Sequence, residues 1–149
     1  ELVDAVVRNV QPDVLQFHGH ETGAFCRSFN RPYIKAIAMG GEGAPLPNTT
    51  EYADAAALMF DSHAPGALGG SGERFDWQRA EEIPSQRLIV AGGLDADNVG
   101  QAIAALHPHA VDVSSGIERS PGIKDSGKMA AFVAAVRRAD AGAAAADTN

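Results

Sequence analysis

The chain has 149 residues, enough for one domain with a hydrophobic core, and we expect a single domain over 1–139 with a disordered tail over 140–149. Its net charge of −7, with no run of Lys or Arg, excludes the basic surface that nucleic acid or an anionic membrane requires. The single cysteine, Cys26, excludes an internal disulfide, and we expect a cytoplasmic protein with a small-molecule partner.

The chain opens on the pattern of an amphipathic helix. The apolar residues of this pattern are Leu2, Val3, Val6, Val7 and Val10. Because the pattern begins without an initiator methionine, we expect further sequence upstream.

Five strand-length runs rich in Val, Ile and Leu follow, at 14–19, 33–39, 57–62, 87–93 and 110–116. Near-continuous apolar runs of this length are typical of parallel strands covered on both faces. Helical patterns lie between and after the runs, at 21–29, 50–56, 75–82, 95–106 and 126–139. Alternating strands and helices predict a parallel α/β fold built from right-handed crossovers.

Two of the predicted helices carry specific signals. The helix over 95–106 is predicted to begin with Asp95 as its N-cap residue. The helix over 126–139 has one apolar stripe, which predicts that this stripe faces the core. The stripe consists of Met129, Phe132, Val133 and Val136.

Most of the predicted strands lead at their carboxyl ends into polar or glycine-bearing sequence. Gln16 and His18 close the first strand and Asp61 closes the third, while Gly92–Gly93 and Ser114–Gly116 follow the last two. The carboxyl ends of parallel strands meet at one edge of a sheet, and ligands of α/β folds bind there. The sequence therefore predicts one active face.

The two glycine-bearing strand ends suit a phosphate. In "AGGLDADNV" (91–99), glycines allow close approach of backbone N–H groups, and a helix N-terminus follows. An ordinary tight turn would use the same residues, but "DVSSGIE" (112–118) repeats the pattern on the next strand, and the pair favours phosphate binding. Neither a P-loop nor a dinucleotide-binding fingerprint is present.

Single polar residues leave more than one interpretation open. His18 and Gln16 lie at period two and point to one side of their strand, where His18 is either a substrate contact or a hydrogen-bonded structural residue. Asp61 is a helix N-cap residue, a turn former, or a general acid whose apolar surroundings favour its protonated form. Cys26 lies on a helical segment and is interpreted as a buried core residue.

Four motifs together resemble those of the phosphoribosylanthranilate isomerases of tryptophan biosynthesis. They cover most of 10–137 in the family's order: "LQFHGHE", "MFDS…GGSGERFDW", "VAGGLDADNV" and "VDVSSGIERSPGIKD". The resemblance implies a (β/α)8 TIM barrel, and an Amadori rearrangement of N-(5-phosphoribosyl)anthranilate that needs no metal or cofactor.

The resemblance also implies roles for individual residues. Asp61 would be the general acid, and Gln16, His18 and Asp112 would contact the substrate. The phosphate-binding residues would be Gly92, Gly93, Ser115 and Gly116. The loop "APGALGGSG" at 64–72 would close over the substrate.

The chain departs from the family in its N-terminal part. The family's general base is a cysteine in an N-terminal strand that has no counterpart here, so we expect a partial barrel equivalent to units four to eight, inactive alone. Its own N-terminal segment or a second copy would complete the barrel. Two alternatives remain: a non-catalytic, self-associating half-barrel, or another phosphate-binding barrel enzyme, for which Lys35 is the one lysine in a predicted strand.

Overall fold

The structure is a computed structural model that describes residues 1–40, 45–62, 77–83 and 87–146. The strands are β1 (Leu15–Phe17), β2 (Tyr33–Ala38), β3 (Ala57–Asp61), β4 (Leu88–Val90), β5 (Ala110–Val111), β6 (Glu118–Ser120) and β7 (Ile123–Lys124). The helices are α1 (Leu2–Asn9), α2 (Gly23–Arg27), α3 (Trp77–Glu81), α4 (Val99–Leu106) and α5 (Ser126–Ala146). A 3₁₀ turn at Thr50–Tyr52 lies within the helix predicted over 50–56.

Strands β1 to β5 form one parallel sheet in chain order. The longest register joins β2 to β3, from Ile34 opposite Ala57 to Ala38 opposite Asp61. Because neighbouring strands are parallel, their carboxyl ends lie at the same edge of the sheet. The predicted parallel α/β class is confirmed.

The two faces of this sheet differ in burial. On β2, Tyr33, Lys35 and Ile37 are buried, whereas the residues between them are partly exposed. The buried face packs against the helices. Alternation along β3 places Phe60, which is fully buried, on the helix-covered face and Asp61 on the other. In the described residues the sheet is therefore covered more completely on one face than on the other.

The main hydrophobic core lies between the sheet and helices α3, α4 and α5. Phe60 and Val90 come from the sheet, Val99 and Ala102 from α4, and Phe132 from α5. A second cluster under α1 and α2 contains Leu15, Phe17, Cys26 and Tyr33. Together the two clusters fix the strands whose ends carry the predicted site.

Helix α5 corrects two expectations from the sequence. Phe132 and Ala135 face the core, but Met129 and Val133 are exposed, so the predicted stripe is divided between two faces. The helix also continues to Ala146, into the predicted tail over 140–149. No helix in the described parts of the chain, α5 included, is sufficiently long and apolar to span a membrane.

The start of α4 corrects a third expectation. The N-cap residue is Asn98, not Asp95, because residues 95–98 form a separate turn. Asp95 closes this turn, since its Oδ1 accepts hydrogen bonds from the backbone N–H groups of Asp97 and Asn98 at 2.9 and 3.0 Å.

Candidate active site

A cavity of about 480 Å³ lies at the carboxyl ends of β3, β4 and β5. Its described lining comprises Asp61, Ala91, Gly92, Gly93, Leu94, Asp112, Val113, Ser114, Ser115, Glu118, Pro121 and Gly122. Five of the residues predicted for the site are therefore brought together, namely Asp61, Gly92, Gly93, Asp112 and Ser115.

Asp61 is held at the end of β3 by the sheet. Its backbone carbonyl accepts a hydrogen bond from the N–H of Met39 at 2.9 Å, and the side chain lies on the less covered face. The next described helix begins at Trp77, so Asp61 is not the N-cap residue of a described helix. The loop predicted to close over the substrate, 64–72, lies outside the described residues.

Gly92 lies directly against this carboxylate. A Cβ atom built on Gly92 would be 2.6 Å from Oδ1 of Asp61 and would also collide with Oγ of Ser62. Gly92 and Gly93 both have positive φ, at 79° and 63°, a conformation that favours glycine. The contact with the end of β3 therefore constrains the conformation of the loop after β4, and the same loop lines the cavity.

The loop after β5 packs against the loop after β4. A Cβ atom on Gly116 would collide with the backbone carbonyl of Leu94, so only glycine allows this approach. Gly116 itself does not line the cavity, whereas Ser114 and Ser115 do. The two predicted phosphate loops form adjoining walls.

The N-terminus of α4 does not form part of these walls. From the sequence, we expect the positive end of this helix, which follows Gly93, to face a phosphate. On this loop, however, the described cavity lining ends at Leu94. The carboxylate of Asp95 already accepts hydrogen bonds from two backbone N–H groups ahead of the helix. An anion in this cavity would therefore rely on the loop backbone.

Gln16 and His18 lie apart from the cavity. Both are exposed, and neither belongs to its described lining. Gln16 pairs with Ile34 of β2, so β2 separates it from β3 and Asp61. The structure thus places these two residues at the same edge of the sheet but two strands away.

The hairpin β6–β7 forms a wall of the cavity that was not predicted from the sequence. Glu118, Pro121 and Gly122 from this hairpin line the cavity. Lys124 Nζ donates to Oε1 of Glu118 at 2.9 Å and to the carbonyl of Ser114 at 2.8 Å. The hydrogen bond from Lys124, together with one from the N–H of Gly122, lowers the pKa of Glu118. The motif "ERSPGIKD", part of the family resemblance, was the available signal for this wall.

Lys35 and Cys26 lie on the helix-covered side of the sheet, away from the cavity. Lys35 Nζ donates to the carbonyl of Gly19 at 2.6 Å and pairs with Glu21 Oε2 at 3.0 Å. Cys26 is fully buried, and burial raises the pKa of its thiol, as expected for a core residue. Lys35 therefore gives no support to a barrel enzyme with a catalytic strand lysine. Within the described residues, no group of three or more His, Cys, Asp or Glu side chains is arranged to hold a metal ion.

Comparison with known proteins agrees with the motifs. The family model for N-(5'phosphoribosyl)anthranilate (PRA) isomerase matches residues 1–135. The N-(5'-phosphoribosyl)anthranilate isomerase of Xanthomonas euvesicatoria pv. vesicatoria is 52% identical over 146 residues, which cover 94% of this chain and 66% of that protein. The chain thus spans slightly under two thirds of this relative's length.

Solved structures show the same fold. The phosphoribosyl anthranilate isomerase from Thermus thermophilus superposes with a TM-score of 0.71 at 31% identity, over 89% of this chain and 64% of that one. Another, a complex with reduced 1-(o-carboxyphenylamino)-1-deoxyribulose 5-phosphate, has a TM-score of 0.60 at 29% identity, over 86% of this chain and 61% of that one. With the family model matching nearly the whole chain, this chain belongs to the N-(5'-phosphoribosyl)anthranilate isomerase family.

Proposed function

We propose that the complete gene product isomerises N-(5'-phosphoribosyl)anthranilate by an Amadori rearrangement in tryptophan biosynthesis. The observation that carries this proposal is the contact between a strand-end carboxylate, Asp61, and a glycine loop that lines the same cavity. The family match and a relative solved with a deoxyribulose 5-phosphate compound support the substrate class. The proposed reaction needs no metal or cofactor, and its proposed compartment is the cytoplasm.

In the proposed mechanism, Asp61 is the general acid. It protonates the ribose ring oxygen, the bond from that oxygen to C1 breaks, and the nitrogen lone pair forms the iminium. A base then removes the C2 proton to give the enolamine. C1 of the enolamine gains a proton and the hydroxyl on C2 loses one, which gives the ketone. To protonate the ring oxygen, the Asp61 carboxyl group must lie within hydrogen-bond distance of it.

The phosphate is proposed to bind the adjoining loops at Gly92, Gly93 and Ser115. Backbone N–H groups in closely packed turns are suited to anions, and the two loops meet at the Gly116–Leu94 contact. Because Gly116 does not line the cavity, we assign it the task of bringing the loops together. Asp112 lines the same cavity, whereas Gln16 and His18 lie at the end of β1, two strands from Asp61 on β3. We propose that the remainder of the substrate lies between the cavity and these two residues.

The general base is proposed to lie outside residues 1–149. Cys26 does not suit this task because it is fully buried on the helix-covered side and its pKa is raised. We propose that β1 to β5 are equivalent to strands four to eight of the family's barrel, and that this chain alone does not turn over substrate.

Exposed apolar side chains support the proposal that further βα units complete the barrel. They lie on α1, at Leu2 and Val6, and on α5, at Met129 and Val133, and these helices belong to the two ends of the sheet. We propose the protein's own N-terminal segment as the partner that covers these surfaces. Alternatively, a second copy of the chain covers these surfaces, and the protein is then a self-associating half-barrel without activity.

The test is complementation of a tryptophan auxotroph lacking this isomerase, together with kinetics of the purified complete gene product. Replacement of the acid in Asp61→Asn is expected to lower kcat by at least about 100-fold, the usual contribution of a general acid. The matched control is Asp97→Asn, which makes the same change in an exposed residue outside the cavity lining. Growth and turnover of Asp61→Asn equal to the wild type would refute the assignment.

A further inference from the structure

A lysine outside the cavity joins two of its walls. Lys124, on β7, donates hydrogen bonds to the carbonyl of Ser114 at 2.8 Å, to Oγ of Ser114 at 3.4 Å and to Glu118 Oε1 at 2.9 Å. Ser114 and Glu118 line the cavity, but Lys124 does not. Its ammonium group therefore lies behind the wall and holds the loop after β5 against the hairpin.

The charge of the cavity explains why such a cation matters. Three carboxylates line it, from Asp61, Asp112 and Glu118, and no Lys or Arg is found in the described lining. A phosphate monoester adds up to about two negative charges at neutral pH. Without a neighbouring cation, the Glu118 carboxylate would repel the phosphate.

Glu118 is fixed in its place by the same hairpin. Its Oε2 accepts a hydrogen bond from the N–H of Gly122 at 3.1 Å, and its side chain is only 15% exposed. The backbone carbonyl of Glu118 accepts a hydrogen bond from Lys128 Nζ at 2.6 Å. The carboxylate cannot simply turn away into solvent if Lys124 is lost.

We propose that Lys124 is a positioning residue for the phosphate end of the substrate, holding the Ser114–Gly116 loop through Ser114 and neutralising Glu118. This role rests on the proposed function, since it presupposes a phosphorylated ligand in the cavity. It assigns Lys124 no proton transfer and no direct contact with the reacting atoms.

The proposal predicts a specific kinetic pattern in the complete gene product. Lys124→Met is expected to raise KM about tenfold with kcat within about twofold of wild type, the size of one charge-assisted hydrogen bond. The double variant Glu118→Gln/Lys124→Met is expected to recover most of this loss, because it no longer leaves an unpaired carboxylate beside the phosphate. A purely structural contribution would instead lower the free energy of unfolding and reduce kcat as well, whereas the proposed role raises KM with kcat nearly unchanged.

Arg119→Met is the matched control. It removes one positive charge from the same hairpin, at a residue that is exposed and does not belong to the described cavity lining. Its KM is expected to stay within about twofold of wild type, as for a surface substitution. An equal rise of KM in Arg119→Met and Lys124→Met would overturn the proposal.

Calorimetric titration with inorganic phosphate separates this inference from the proposed function. Lys124→Met is expected to weaken phosphate binding about tenfold, with recovery in the double variant. If the wild type shows no isomerisation, the proposed function fails, and the phosphate titration alone decides the role of Lys124. An unchanged KM or phosphate affinity in Lys124→Met, or a double variant no better than the single one, would overturn the inference while leaving turnover by the wild type untouched.

Discussion

Gly92→Ala is the substitution that tests most directly how the end of β3 and the loop after β4 fit together. A methyl group at this position would have to occupy space next to Oδ1 of Asp61, at 2.6 Å, and would collide with Oγ of Ser62. Gly92 also has φ of 79°, which an alanine adopts only with strain. The variant therefore combines a backbone penalty with a steric one.

Gly122→Ala separates the two penalties. Gly122 has almost the same φ, 78°, but a Cβ atom there would meet nothing within 4 Å. We expect Gly122→Ala to lower the free energy of unfolding by the backbone penalty alone, about 1–2 kcal/mol. Gly92→Ala should cost about 1–3 kcal/mol more, the usual penalty of forcing an extra methyl group into a packed site.

Urea denaturation of the complete gene product measures this difference through the transition midpoint at constant slope. We also expect Gly92→Ala to lower kcat, because the added methyl group displaces the Asp61 carboxylate, and a shift of about 1 Å can cost about 100-fold in rate. Equal destabilisation by Gly92→Ala and Gly122→Ala would refute the contact between Gly92 and the end of β3. Wild-type kcat in a folded Gly92→Ala variant would refute the proposed position of the acid.

Two further predictions concern the layer beneath the site and the outer helix. Glu21→Gln should cost about 2–4 kcal/mol, because it leaves the Lys35 ammonium, whose side chain is 3% exposed, without its carboxylate; the double variant with Lys35→Met should cost less. Burial alone would raise the pKa of Glu21, but hydrogen bonds from the backbone and from Lys35 hold it below its usual value. The stabilisation that the ionised Glu21 carboxylate provides is therefore present above about pH 4.5 and is lost as the pH falls. The urea midpoints of wild type and Glu21→Gln should converge in acid. On α5, Phe132→Ala should lower the free energy of unfolding by about 3–5 kcal/mol, because Phe132 is buried in the core. Val133→Ala should lower it by about 1 kcal/mol, because we propose that a further segment covers this face. A Val133→Ala cost near zero in the complete gene product would contradict that cover.

The strand-end chemistry of the site was predictable because it follows from a local pattern. A run such as Leu88–Val90 is apolar throughout and ends in two glycines, and the run ending in Asp61 is equally distinct. Once five such runs are read as parallel strands, their carboxyl ends must meet at one edge. The proximity of Asp61, Gly92 and Asp112 then requires no knowledge of long-range packing.

The hairpin β6–β7 was not predictable from the same pattern. Its strands are Glu118–Ser120 and Ile123–Lys124, both short and mostly exposed, so they carry no run of buried apolar residues. They are stabilised instead by specific hydrogen bonds, such as that from Lys124 to Ser114. Hydrophobic periodicity contains no information about contacts of this kind.

The boundaries of α4 and the orientation of α5 show a second limit of sequence patterns. Asp95 has the side chain of an N-cap residue, and it does accept backbone N–H groups, but it closes a turn ahead of the helix instead of the helix itself. On α5, Met129 and Val133 are as apolar as Phe132, and the packing of α5 against the rest of the core, α4 included, decides which of them is buried. Tertiary packing, not propensity, determines both outcomes.

The arrangement of the candidate site also indicates which parts of a single substrate the different strands would contact. The cavity joins β3 to β5, so Asp61 and the two proposed phosphate loops lie on neighbouring strands and are coupled through direct contacts at Gly92 and Gly116. Gln16 lies on β1, two strand spacings or about 10 Å from β3, and has no such contact with the cavity. If Gln16 and His18 contact the substrate as proposed, a substrate with its phosphate at β4 and β5 and its ring oxygen at Asp61 would extend its other end over β2 and β1. Asp61 and the loops proposed to bind the phosphate therefore form one closely packed unit, and the proposed contacts of Gln16 and His18 would be with the part of the substrate that extends beyond it.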